Sequence, residues 1–193
     1  MGVNDSVRTF VCIELPEEIR GRIDALQCRL RELEADVRWV RSGNIHLTLK
    51  FLGDIPSLKI ASVRLAIESA IQDERGFSIE VSGTGCFPSS HDPRVLWVGV
   101  GSPSGALARL QALIEKSLEV TGFAKEPRPF SPHLTLGRVK SRRNARRLVE
   151  AATEAGFAAL SFQAREIVVM RSDLKAAGAV YTLLAAIRLA TER

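Results

Sequence analysis

The stretch Ile45-His46-Leu47-Thr48-Leu49-Lys50-Phe51-Leu52 contains a tetrapeptide, HLTL, that returns unchanged at His133-Leu134-Thr135-Leu136, 87 residues later. The chain has three histidines, and two of them open these repeats. At average composition, the chance that a given second histidine is followed by Leu-Thr-Leu is on the order of one in a thousand or less. On a strand, residues two apart share a face. Each repeat therefore reads as a leucine-anchored strand presenting an imidazole beside a hydroxyl. The same alternation puts Lys50 on the face of His46 and Thr48, and turns Phe51 with Leu47 and Leu49 toward a core. Two such strands facing each other make one cleft with two imidazoles and two hydroxyls.

Working outward, residues 8–15 are β-branched and aromatic and predict a first strand. Pro16-Glu17-Glu18 opens a helix, with proline and acids in its first turn and an apolar stripe at Ile19, Ile23, Leu26, Leu30 and Leu33. Further helices are predicted from Pro56-Ser57, from Pro103-Ser104 and over 141–155. Further strands are predicted at 38–40, 77–81, 95–100, 162–171 and 179–189. Lys125 to Pro132 has three prolines in eight residues and must be an extended loop. The order is strand–helix–strand with HLTL–helix–strands, taken twice. It predicts an α+β fold of two similar lobes with antiparallel sheets, each lobe giving one His-x-Thr strand to a central cleft.

Composition narrows the function classes. The chain has 193 residues, 46% of them hydrophobic, and a net charge of +5, compatible with an anionic partner such as RNA. Cys12, Cys28 and Cys86 are an odd count without paired spacing, so neither a disulfide framework nor a zinc module is expected. Free thiols fit a reducing cytoplasm. No run approaches the length of a membrane span, and no Walker or GxGxxG loop is present.

Histidine titrates near neutrality, so one imidazole can act as base while the other acts as acid. Two such groups on opposite sides of a phosphorus atom suit an in-line displacement. Thr48 and Thr135 can donate to the non-bridging oxygens. Arg138, five residues after His133, can grip the same phosphate through its guanidinium fork. No metal is needed, and the residues to hold one are hard to find. His91, in a polar loop, reads as solvated, and Trp97, in an apolar run, reads as core. The basic run Lys140 to Arg147 is either a solvated helix face or a phosphate-attracting rim.

Paired His-x-Thr motifs resemble the two-histidine (2H) phosphoesterase superfamily. The flanks Arg8 to Pro16, Val37 to Val40, Asn44 to Gly53, Gly85 to Pro88, Pro93 to Trp97 and Arg128 to Arg138 are similar to its bacterial and archaeal RNA 2′,3′-cyclic phosphodiesterase branch, first named for 2′-5′ RNA ligase activity. The segment Ser172 to Tyr181 resembles that branch's final hairpin. The resemblance implies a single bilobal domain and hydrolysis of RNA 2′,3′-cyclic phosphate ends to a 2′-phosphate, without metal or nucleotide cofactor. It makes His46 the general acid and His133 the general base. Thr48, Thr135 and Arg138 become phosphate binders, and Phe51 a candidate base contact. The expected partner is RNA with such ends, tRNA halves included, met by a cytoplasmic monomer with no membrane attachment. Ligation by the reverse reaction, action on a small cyclic phosphate, and an RNA-end binding module without catalysis stand as the alternatives.

Overall fold

The computed structural model describes residues 5–176 and 178–191. Two antiparallel sheets carry the two repeats. The chain runs β1 (Ser6–Glu14), α1 (Glu17–Arg31), β2 (Val37–Trp39), a 3-10 turn (Ser42–Asn44), β3 (His46–Pro56), α2 (Lys59–Ala70), β4 (Phe77–Phe87), β5 (Val95–Gly101), α3 (Ala106–Val120), β6 (His133–Val139), α4 (Ala145–Ala155), β7 (Leu160–Ala164), β8 (Glu166–Lys175) and β9 (Gly178–Arg188). The four-stranded sheet is ordered β3-β1-β8-β9, and the five-stranded sheet β2-β6-β5-β4-β7. Each HLTL strand lies beside the first strand of its own half: β3 beside β1, β6 beside β5. The strand that follows the second helix then crosses to the other half. After α2, β4 pairs with β5, and after α4 the chain reaches β8, which pairs with β1.

The strand expected over 162–171 is two strands in different sheets. β7 pairs with β4, the exposed Arg165 separates them, and β8 joins β1. Periodicity could not show this, because a chain that changes sheets within one residue stays extended. The helix expected from Ser141 begins at Ala145, after a turn in which Asn144 has φ 53°. β3 runs on to Pro56, and α2 begins at Lys59.

One hydrophobic cluster draws residues from both sheets and all four helices, including Leu47, Leu49, Leu134 and Leu136. Burying those leucines, each 3% exposed or less, contributes roughly 1.5–3 kcal/mol per side chain. It also fixes which face of each strand stays outside. A second, smaller cluster of Phe10, Cys12, Val168 and Met170, with Tyr181 against it, covers the opposite face of the four-stranded sheet.

Lys50 does not stand on the face of His46. It is 6% exposed, ion-paired with Glu115 of α3 and bonded to the Ala124 carbonyl at 2.9 Å. Glu115 also accepts from the Glu126 backbone N–H at 2.9 Å and from Gln111 Nε2 at 3.2 Å. This buried network ties β3, just past its HLTL, to α3 and to the loop that leads into the second HLTL. Lys50→Met should cost about 3–5 kcal/mol, because it strands a buried carboxylate. Adding Glu115→Leu should recover most of that loss. Urea unfolding of the single and double variants checks both.

Candidate active site

β3 and β6 come together across the two sheets, with Cα atoms within 8 Å. His46, Thr48, His133 and Thr135 are half-buried, while the leucines between them are buried. The alternation expected for each tetrapeptide is therefore present. It ends at the second leucine. Along β1, Cys12 faces Thr48 and Val11 faces Lys50, so Leu49 is an extra residue, a β-bulge. Along β5, Trp97 faces Thr135 and Leu96 faces Gly137, so Leu136 is an extra residue at the same place.

A bulge reverses the parity of everything after it. Phe51 and Arg138, each five residues past its histidine, would face away from it on a regular strand. With one residue bulged they return to its face. Phe51 is 66% exposed and Arg138 is exposed, while Gly137 beside it is buried. The core position that alternation gives Phe51 is thus corrected, and so is the cleft position it gives Lys50. Phe51 and Arg138 occupy equivalent places. At the preceding position Lys50 dives into the core in one lobe. In the other, Gly137 has no room for a side chain: a Cβ there would lie 2.6 Å from Val37 Cγ1.

The two imidazoles are held alike. His46 Nδ1–H donates to the Asn44 carbonyl at 2.8 Å, and His133 Nδ1–H donates to the Ser131 carbonyl at 2.7 Å. A carbonyl only accepts, so each neutral ring keeps its proton on Nδ1 and leaves Nε2 as a lone pair. Aromatic rings then fix the planes. Phe10 stacks on His46 at 4.6 Å and 23°, and Tyr181 meets it edge-on at 5.2 Å. Phe87 meets His133 edge-on at 5.0 Å. Trp97, expected in the core, is half-buried, directly opposite Thr135 and 5.2 Å from Phe87. Its indole occupies the space over Gly85, where a Cβ would be 2.3 Å from the ring. Phe10, Phe87 and Tyr181, which pack against the two imidazoles, do not stand out as site residues in the sequence. Only Tyr181 carried a signal, as the single tyrosine of the chain.

The electrostatics link the two sheets. Burial raises the Tyr181 hydroxyl's pKa, and Cys12 adds to the rise, while the charges of Arg138 and Arg8 oppose it. Arg138, on the five-stranded sheet, thus acts on the tyrosine that packs against His46. Burial pushes the His46 imidazole down to about 4; its bond to Asn44 opposes the shift and the Arg20 charge adds to it. His91 is exposed, as expected. The basic run is exposed at Lys140, Arg142, Arg143, Arg146 and Arg147, with Arg146 paired to Glu150 at 2.7 Å. All three cysteines are free. Among the described residues, no group of three or more His, Cys, Asp or Glu is placed to hold a metal ion. No helix among them is long and apolar enough to cross a membrane.

This site is built on a chain that belongs to the 2′-5′ RNA ligase superfamily, whose model matches residues 15–176. A curated relative from Methanothermobacter thermautotrophicus, named RNA 2′,3′-cyclic phosphodiesterase, is 34% identical over 95% of this chain and 99% of its own. One from Methanocaldococcus jannaschii with the same name is 31% identical over 92% of this chain and 98% of its own. Among solved structures, the TT0787 protein of Thermus thermophilus superposes with a TM-score of 0.78 at 26% identity, covering 96% of this chain and all of its own. Escherichia coli LigT complexed with 3′-AMP superposes with a TM-score of 0.75 at 26% identity, covering 96% of this chain and 99% of its own.

The His46 shift has a consequence for stability. The unfolded imidazole titrates near 6.5 and the folded one near 4. Between these values the unfolded chain binds more protons, so stability falls as pH drops from about 6.5 to 4, by at most about 3 kcal/mol. Denaturant unfolding of His46→Gln over this range should show a visibly shallower fall than the parent. An unchanged slope removes His46 as its cause.

Proposed function

We propose that this chain is a metal-independent RNA 2′,3′-cyclic phosphodiesterase that opens terminal cyclic phosphates to 2′-phosphates. The observation that carries this reading is the pair of imidazoles on facing strands, each with Nδ1–H committed to the carbonyl two residues back and Nε2 left for proton transfer. The relatives' names support the substrate class. Water attacks phosphorus and gives a proton to His133. The P–O3′ bond breaks, and O3′ takes a proton from His46. Thr48, Thr135 and Arg138 donate to the non-bridging oxygens as charge gathers there. Phe51 offers an exposed ring for a base. The two lobes act as one intertwined domain, working as a cytoplasmic monomer on RNA ends such as those of tRNA halves.

His46 is the unusual member. An acid whose proton is held so weakly is mostly neutral in the empty cleft at pH 7. The anionic phosphate must raise it on binding. The alkaline limb set by His46 should therefore lie at higher pH in kcat than in kcat/KM, because the first reports the complex and the second the free enzyme. Coincident limbs would contradict His46 as the acid whose proton the bound phosphate holds. His46→Ala or His133→Ala should each lower kcat/KM on a 2′,3′-cyclic-ended oligonucleotide by about 10²-fold or more, and chelator should leave the parent rate unchanged. Full activity in either variant would sink the proposal. The family's name favours one second reading, 2′-5′ ligation, which uses the same acid and base with a 5′-hydroxyl in place of water. The yield of joined product from a pair of tRNA halves tests it.

A further inference from the structure

We propose that the depression beside His46 is a nucleobase pocket, in which Glu14 and Arg20 read the hydrogen-bonding edge of a guanine at the RNA end. This rests on the phosphodiesterase reading for its substrate class. The depression has a volume of about 270 Å³ and is walled by Phe10, His46, Tyr181 and Leu183, with Glu14 and Arg20 at its polar end. That is just below the range of small-molecule sites, roughly 300–1,000 Å³, so it suits one ring system rather than a whole nucleotide. Phe51 takes no part in its wall. The base contact considered for Phe51 is thus a separate place further along β3.

The walls and the polar end favour a base over other occupants. Aromatic and aliphatic side chains form a surface on which a flat heterocycle packs, as splayed RNA bases do. At the polar end, Arg20 Nη2 lies 3.3 Å from Glu14 Oε1. The pair is neutral overall, and its carboxylate repels a second phosphate. It therefore selects an uncharged group that offers an acceptor next to donors. Arg20 Nε is buried and has no hydrogen-bond partner among the described residues. Nε is closed off from the depression, so donation to a ligand comes from the Nη groups of the guanidinium.

Guanine presents O6, N1–H and the 2-amino group side by side. Arg20 can donate to O6 while the Glu14 carboxylate accepts from N1–H and the amine. Adenine has no carbonyl to offer Arg20, and uracil has no second donor for Glu14. Of the bases compared, guanine thus satisfies the most groups.

The test has a binding arm and a turnover arm. Calorimetry should show guanosine 3′-monophosphate binding the parent protein about tenfold or more tightly than adenosine 3′-monophosphate, the range of one well-formed base-edge pair. The kcat/KM ratio for the corresponding 2′,3′-cyclic nucleotides should show the same preference. In Glu14→Gln and in Arg20→Gln both ratios should collapse toward one, while Arg22→Gln, exposed on the same helix, keeps them. Equal binding of the two nucleotides by the parent, or a guanine preference that survives Glu14→Gln, overturns the pocket. If neither cyclic nucleotide is turned over, the phosphodiesterase reading fails by itself, and the calorimetric ratio still decides the pocket.

Discussion

The site depends on a bulge at the second leucine of each HLTL. Before the bulge, ordinary alternation points His and Thr outward and the first leucine inward. After it, parity is reversed, and the residue five past each histidine returns to the histidine's face. Leu49 and Leu136 are both buried, so each bulge is held by core packing as well as by backbone pairing. Slipping either strand by one residue would put an imidazole in the core and a leucine in the cleft. The face that carries His46, Thr48, His133 and Thr135 is thus specified by the same hydrophobic burial that stabilises the fold.

Equivalent backbones then carry different side chains. Phe51 stands where Arg138 stands, so one lobe offers a ring and the other a fork of donors. Lys50 stands where Gly137 stands. β3 is the edge of its sheet, and Lys50 turns inward to Glu115 of α3. β6 has β2 beside it, and Val37 and Trp39 close over Gly137. The rings against the histidines differ as well. His46 is packed by Phe10 and Tyr181, and its burial holds the imidazole neutral to low pH. Two identical words in the sequence therefore give two chemically unequal imidazoles.

The α+β class, both motif strands and the inward leucines were legible because they rest on local periodicity. The side-chain directions of Lys50 and Phe51 were not, because a bulge depends on the partner strand's register and leaves no mark in the bulged strand. The resemblance to 2H phosphoesterases pointed to Phe51 where alternation pointed away. The division of 162–171 between two sheets was hidden for a similar reason: Arg165 interrupts the pairing without interrupting the extended chain. Phe10 and Phe87 read as ordinary strand aromatics, since only the fold brings them to a histidine from another strand.

We propose that the two HLTL strands serve one phosphate. Side-chain ¹⁵N NMR of the imidazoles, during titration with adenosine 2′-monophosphate, addresses it directly. One shared phosphate site predicts that the Nε2 resonances of His46 and His133 both move, along a single binding curve with one Kd. A change confined to one histidine, or two curves with different midpoints, would contradict it.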